Sequence, residues 1–98
     1  MRVLIRGAGD IATGIALRLY RARMQVIMTD LPKPTAIRRT VCFSQAIVYG
    51  ETTVEGVRAV HAENAAAAEQ IAAQGDIPVL ADPDCACRAE LRPDALVD

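Results

Sequence analysis

An α/β fold with a mostly parallel sheet and flanking helices is predicted by three observations. Short apolar, β-branched runs recur along the 98 residues. Helix-period segments separate them, and strand alternating with helix favours right-handed crossovers and a doubly wound sheet. The first run, Val3-Leu4-Ile5, breaks directly into Gly7-Ala8-Gly9-Asp10-Ile11-Ala12, a glycine-rich turn that opens a helix. A second run, Val26-Ile27-Met28-Thr29, ends at Asp30, 21 residues after Gly9.

The elements follow in order. The first helix is expected from Asp10 to Arg23. Ile11, Ile15 and Leu19 form its apolar stripe, Ala12 and Ala16 widen it, and Arg18, Arg21 and Arg23 face solvent. Strand two covers Gln25 to Thr29. Leu31-Pro32-Lys33-Pro34 is a rigid loop, because each proline fixes φ and removes a donor. Thr35 or Thr40 caps a short helix over Val41 to Val48, ended by Gly50, although Phe43, Ile47, Val48 and Tyr49 also suit a strand. Within the β-branched stretch Thr52 to His61, the third strand is placed at Val57 to His61, with Gly56 marking a bulge or a close approach. Glu63 to Gln74 reads as an alanine-rich helix with Gly75 just past its end. Ile77-Pro78-Val79-Leu80-Ala81 is strand four. After the turn Arg92-Pro93-Asp94, Ala95-Leu96-Val97 begins another buried strand.

Composition bounds the function. Hydrophobic content is 52% and charged content 23%, which is globular, and 3% aromatics require an aliphatic, alanine-rich core. A net charge of −1 offers no surface for nucleic acid or for an anionic membrane. No apolar run approaches the roughly 20 residues that span a bilayer. The N-terminal segment lacks signal-peptide architecture, so the expected compartment is the cytoplasm. Cys42, Cys85 and Cys87 are an odd number and read as reduced thiols rather than a disulfide framework. Residues 1–98 are expected to form one incomplete, Rossmann-like nucleotide-binding domain, a fragment or truncated product, because such folds ordinarily have two mononucleotide halves.

The chemistry concentrates at the first turn. Gly7 permits a tight bend, Gly9 lets a pyrophosphate approach the backbone, and Ala12 lets the helix lie close on the strand. The helix N-terminus then offers N–H groups to an anion. Gly7, Ala8, Gly9, Asp10, Ile11 and Ala12 are thus candidate cofactor-binding residues, the alternative being a merely structural βα turn. Asp10 is expected to act as a helix cap pointing aside, since a carboxylate aimed inward repels a diphosphate. Asp30 is a ribose acceptor or a solvated strand-end acid. As a ribose acceptor it favours NAD over NADP, which Lys33, Arg38 and Arg39 are close enough to reverse. Arg38 is a candidate anion clamp or part of a solvated basic turn. Arg6, at the end of a buried strand, reaches either the ligand crevice or solvent. Glu51 and Glu55 form no acid/base pair, and His61, the single histidine, is read as structural. Cys85-Ala86-Cys87 lacks the further ligands that zinc requires, and Cys85 is a reactive thiol or an inert loop residue. No catalytic residue and no metal site is assigned.

Taken together, Leu4 to Ala12, Lys33-Pro34-Thr35-x-Ile37-Arg38, Gly50-Glu51-x-Thr53-Val54-Glu55-Gly56-Val57, and Ile77-Pro78-Val79 with Asp82-Pro83 resemble one family. It is the YqeB-type accessory proteins of selenium-dependent molybdenum hydroxylases, and the similarity runs over essentially the whole chain. The resemblance implies a Rossmann-like segment continued by a further domain. It also implies a role in maturing or supplying the molybdenum cofactor with its selenium or sulfur ligand. The resulting expectation is an accessory protein that binds a nucleotide-type small molecule, NAD(P) or a molybdopterin nucleotide, with a molybdenum hydroxylase as partner and room for self-association. The alternatives are a fragment of an NAD(P)-dependent oxidoreductase and a ligandless protein-interaction module.

Overall fold

The computed structural model of the chain describes residues 1–30, 43, 45–82 and 87–97. Its strands are β1 (Arg2–Arg6), β2 (Gln25–Asp30), β3 (Glu51–Val54), β4 (Val57–Ala62), β5 (Ile77–Ala81) and β6 (Ala95–Val97). Its helices are α1 (Asp10–Arg21), α2 (Gln45–Tyr49), α3 (Ala65–Ala73) and α4 (Arg88–Leu91). The strands form one sheet in the order β3-β4-β5-β2-β1-β6, parallel except for the β3–β4 pair. The expected α/β class with a mostly parallel sheet and flanking helices is therefore observed.

Side-chain alternation divides the core between the two faces of the sheet. Val3, Ile5, Val26, Met28, Ala59, Ile77 and Val79 pack with Ala16 and Leu17 of α1 and Ala46 of α2. Leu4, Ile27, Ala62 and Leu80 point the other way, onto Ala65 and Ala68 of α3 and Leu91 of α4. Central strands buried on both faces explain the near-continuous apolar runs at β1, β2 and β5.

The chain passes from β1 through α1 to β2, and later from β5 through α4 to β6 on the opposite flank of β1. Connections thus diverge around β1, and in open parallel sheets ligands bind at such a point, outside the carboxyl ends of the strands.

The first helix departs from the expected stripe. Ile11 is 83% exposed, and the inward residues are Thr13, Ala16 and Leu17, with Ile15, Leu19 and Tyr20 on the margin. A run of i, i+4, i+8 drifts around a helix of 3.6 residues per turn, so Ile11 falls off the face that Leu17 occupies. Helix α1 also ends at Arg21, two residues early, and Arg23 turns the chain with φ +67°. The stretch holding the third strand is a hairpin. Glu55 (φ +50°) and Gly56 (φ +81°) form its two-residue turn, so Gly56 is a turn residue and not a bulge. The alternation of strand and helix is broken there. Strand two includes Asp30, and α3 starts at Ala65, two residues inside the expected start. The expected caps Thr35 and Thr40 lie outside the described residues.

Polar ties hold the amino-terminal side of the sheet. The Arg2 guanidinium donates to Gln25 Oε1 (2.6 Å), Leu91 O (2.6 Å) and Glu69 Oε1 (3.2 Å), joining β1 to β2, α4 and α3. Arg58 on β4 donates to Glu51 across the hairpin and to Asp76 before β5. The hydrogen bond from Glu51 leads the causes that raise the Arg58 pKa above its ordinary value.

Candidate functional site: the glycine turn and the strand ends around it

The carboxyl ends of β1, β2, β5 and β4 share one edge of the sheet because these strands are parallel. The turn after β1 begins with Gly7 at φ +111°, a conformation that residues with a Cβ rarely adopt. The Gly7 N–H donates to Thr29 O at 2.6 Å, fixing the turn against the end of β2 with Asp30 one residue beyond. The turn and the acid, remote in sequence, are thereby brought to adjacent strand ends.

A Cβ built on Gly7 would meet the Ala12 Cβ at 4.0 Å, so the first helical turn lies directly over the bend. Gly9 occupies the N-cap position in an extended conformation (φ −76°, ψ −164°), and Thr13 N–H donates to its carbonyl at 2.8 Å. No side chain caps α1. An α-helix gives its first amides no intrahelical partner, so those of α1 are not engaged by a cap residue. Asp10 is the first residue inside the helix, so the expectation that Asp10 is the cap is corrected: Gly9 holds that position. The Asp10 side chain lies outside what is described. Ile11 stands exposed on the first helical turn beside the bend.

Thr13 was not singled out from the sequence. Its buried hydroxyl donates to Ala8 O (3.3 Å) and accepts from Phe43 N–H (3.0 Å). One side chain therefore braces the turn from beneath and anchors the chain that enters α2. A threonine inside a helix, four residues after the second glycine of the turn, is the sequence signal for this role.

Arg6 ends β1 exposed and Asp30 ends β2 half-buried. Arg38, with Lys33 and Arg39, lies outside the described residues, and so does Cys85. Cys87 is buried, packed with Leu91 and Leu80 on the α3/α4 face. His61 sits half-buried on β4. Among the described residues, no group of three or more His, Cys, Asp or Glu side chains is placed to hold a metal ion. No described helix is long and apolar enough to cross a membrane.

Beyond β2 the same edge carries a cavity of about 450 Å³ at the ends of β4 and β5, walled by the first residues of α3 and by α4. A second cavity, of about 400 Å³, lies at the opposite edge of the sheet between the ends of α1 and α3 and includes Tyr20, Gly75 and Asp76.

No protein-family profile matches the chain. No solved structure matches it either. Among curated proteins, it is 54% identical over 96 residues to "Uncharacterized protein YqeB" of Escherichia coli (strain K12). The match covers 98% of this chain and 18% of that protein, so the chain spans less than a fifth of its relative's length. The recognition of a YqeB-type sequence from its motifs is borne out: along nearly its whole length, the chain is similar to YqeB.

Proposed function

We propose that the chain is the Rossmann-like, nucleotide-binding segment of an accessory protein serving selenium-dependent molybdenum hydroxylases. One observation carries the binding half of this reading. A glycine held at positive φ delivers the chain into a helix whose cap position is a second glycine, with the acid closing β2 alongside. That arrangement points peptide N–H groups and the positive end of the helix dipole at one place on the open edge of the sheet, which favours a phosphate or diphosphate. The residues present fit a nucleotide. Gly7 and Gly9 leave the backbone bare, Ala12 keeps the helix close, and Asp30 accepts from ribose hydroxyls. In this reading Ala8, Asp10 and Ile11 are the remaining turn residues at the anion, and Arg38 is its clamp. A bound dinucleotide would supply redox or group-carrying chemistry that these residues do not themselves contain.

The accessory half rests on the motif resemblance, and it assigns the chain a molybdenum hydroxylase as partner and NAD(P) or a molybdopterin nucleotide as ligand. Titration with NAD, NADP and a molybdopterin dinucleotide, read by calorimetry, tests the pair. The expected result is saturable binding of at least one, lost in Gly9→Val and weakened about tenfold or more in Asp30→Ala, the loss of a charge-assisted hydrogen bond pair. Binding unaffected by Gly9→Val refutes the assignment of the turn.

A further inference from the structure

We infer that Thr13 is the positioning residue of the anion seat: its hydroxyl fixes which way the Ala8–Gly9 peptide group faces, and so keeps the Gly9 N–H turned to the ligand. This rests on the nucleotide reading above and names the side chain that makes the glycine turn present a donor rather than an acceptor.

The direction of each hydrogen bond is set by chemistry. An amide N–H only donates and a carbonyl oxygen only accepts, whereas a hydroxyl carries one proton and two lone pairs. Phe43 N–H donates to Thr13 Oγ1 at 3.0 Å, which leaves the hydroxyl proton for Ala8 O at 3.3 Å. Ala8 and Phe43 are fully buried and Thr13 is 4% exposed, so water does not stand in for either bond. The hydroxyl thus holds the Ala8 carbonyl on the side of the buried cluster beneath α1.

The carbonyl and the N–H of a trans peptide group point in opposite directions within one plane. Ala8 O and the Gly9 N–H belong to the same group. Drawing the oxygen to Thr13 therefore aims the N–H away from the core, at a residue that is partly exposed. Thr13 also secures the other side of Gly9, its own N–H donating to Gly9 O at 2.8 Å. Any residue but proline at position 13 can make that second bond. The bond to Ala8 O needs a hydroxyl.

Glycine is the reason a lock is needed. A half-turn of the Ala8–Gly9 group carries Gly9 from φ −76° into the positive-φ region, which glycine enters about as readily as the negative. The missing Cβ that leaves the backbone bare for phosphate also leaves this peptide free to invert. Inverted, it sets a carbonyl oxygen against the anion, and repulsion replaces a charge-assisted hydrogen bond. Removing the hydroxyl withdraws the donor that holds the oxygen inward, and so favours inversion.

The test measures pyrophosphate affinity by calorimetry for the unaltered chain, Thr13→Val, Thr13→Ser and Leu17→Val. Thr13→Val keeps the shape without the hydroxyl and is expected to bind about tenfold weaker or worse, the size of one hydrogen bond to a charged group. Thr13→Ser restores the hydroxyl and should recover the affinity. Leu17→Val loosens the same buried face of α1 and should leave affinity unchanged. In the ligand-free, isotope-labelled chain, the residual dipolar coupling of the Gly9 amide reports the N–H direction itself. It should match the outward orientation in the unaltered chain and in Thr13→Ser, and depart from it in Thr13→Val. Thr13→Val binding as tightly as the unaltered chain, or losing no more than Leu17→Val, overturns the positioning role while the turn stands as an anion seat. A Gly9 N–H directed inward in the unaltered chain overturns it as well, even where Thr13→Val fails to fold. An unaltered chain that binds no pyrophosphate overturns the nucleotide reading and this inference together.

Discussion

Replacing either of two glycines, seven residues apart, with alanine should have opposite consequences, and the sign at each follows from the backbone. Gly7 sits at φ +111°, and a Cβ there finds nothing nearer than the Ala12 Cβ at 4.0 Å. Contact at that distance is ordinary, so Gly7→Ala costs backbone strain rather than a clash, about 1–3 kcal/mol. Gly14 lies within α1 with nothing within 4 Å of an added Cβ. Gly14→Ala removes the penalty of glycine in a helix and gains about 0.5–1 kcal/mol. For a chain of this size each kcal/mol moves the thermal midpoint by roughly 4–8 °C. Differential scanning calorimetry should show Gly7→Ala melting at least about 4 °C lower and Gly14→Ala about 2–8 °C higher. An unchanged or raised midpoint for Gly7→Ala would refute the strained turn, and with it the geometry that presents the α1 amides.

Thr13→Val keeps the shape but strands the Phe43 N–H and the Ala8 carbonyl in the core, so it should destabilise by about 1–3 kcal/mol in urea unfolding, whereas Thr13→Ser should recover most of that loss. Asn64→Ala removes the α3 cap and should cost about 1 kcal/mol, while Asn64→Asp should be nearly neutral because aspartate caps equally well. Phe43→Ala empties a fully buried site against α1 and the sheet and should cost about 3–5 kcal/mol by the same assay.

Those elements whose cause is local were legible in the sequence. The β1 run, the glycine turn, α1 and β2 are contiguous, and each carries its own signal: β-branched residues, paired glycines, helical periodicity, then a second apolar run. Helix α3 was marked by its alanines and by Gly75, which adopts φ +93° just after the Gln74 cap. Strand β5 fell at Ile77–Ala81 as expected, and Ala95-Leu96-Val97 did form a strand, paired with β1. The β3–β4 hairpin was hidden because Glu55-Gly56 lacks the usual Asn-Gly or Asp-Gly turn pair, so Thr52 to His61 read as one β-rich stretch. Helix α4, four residues long, is too short for periodicity to register.

Sheet order was not legible, since β5 enters between β2 and β4 through long-range pairing that no local pattern encodes. The cavity depends on that order. It assembles from the ends of β4 and β5 and the starts of α3 and α4, and nothing in the spacing of Glu63, Asp82 and Glu90 announces it. At the glycine turn the sequence supplied residue types, whereas the hydrogen bond from Gly7 to Thr29 supplied their adjacency to Asp30.

The most direct measurement is residue-resolved: backbone amide shifts of the isotope-labelled chain recorded while inorganic pyrophosphate is titrated. Saturable shifts concentrated at Gly9, Ile11 and Ala12, and abolished by Gly9→Val, are the predicted result. Shifts scattered over surface arginines, or none at the turn at millimolar pyrophosphate, would contradict an anion seat at the start of α1.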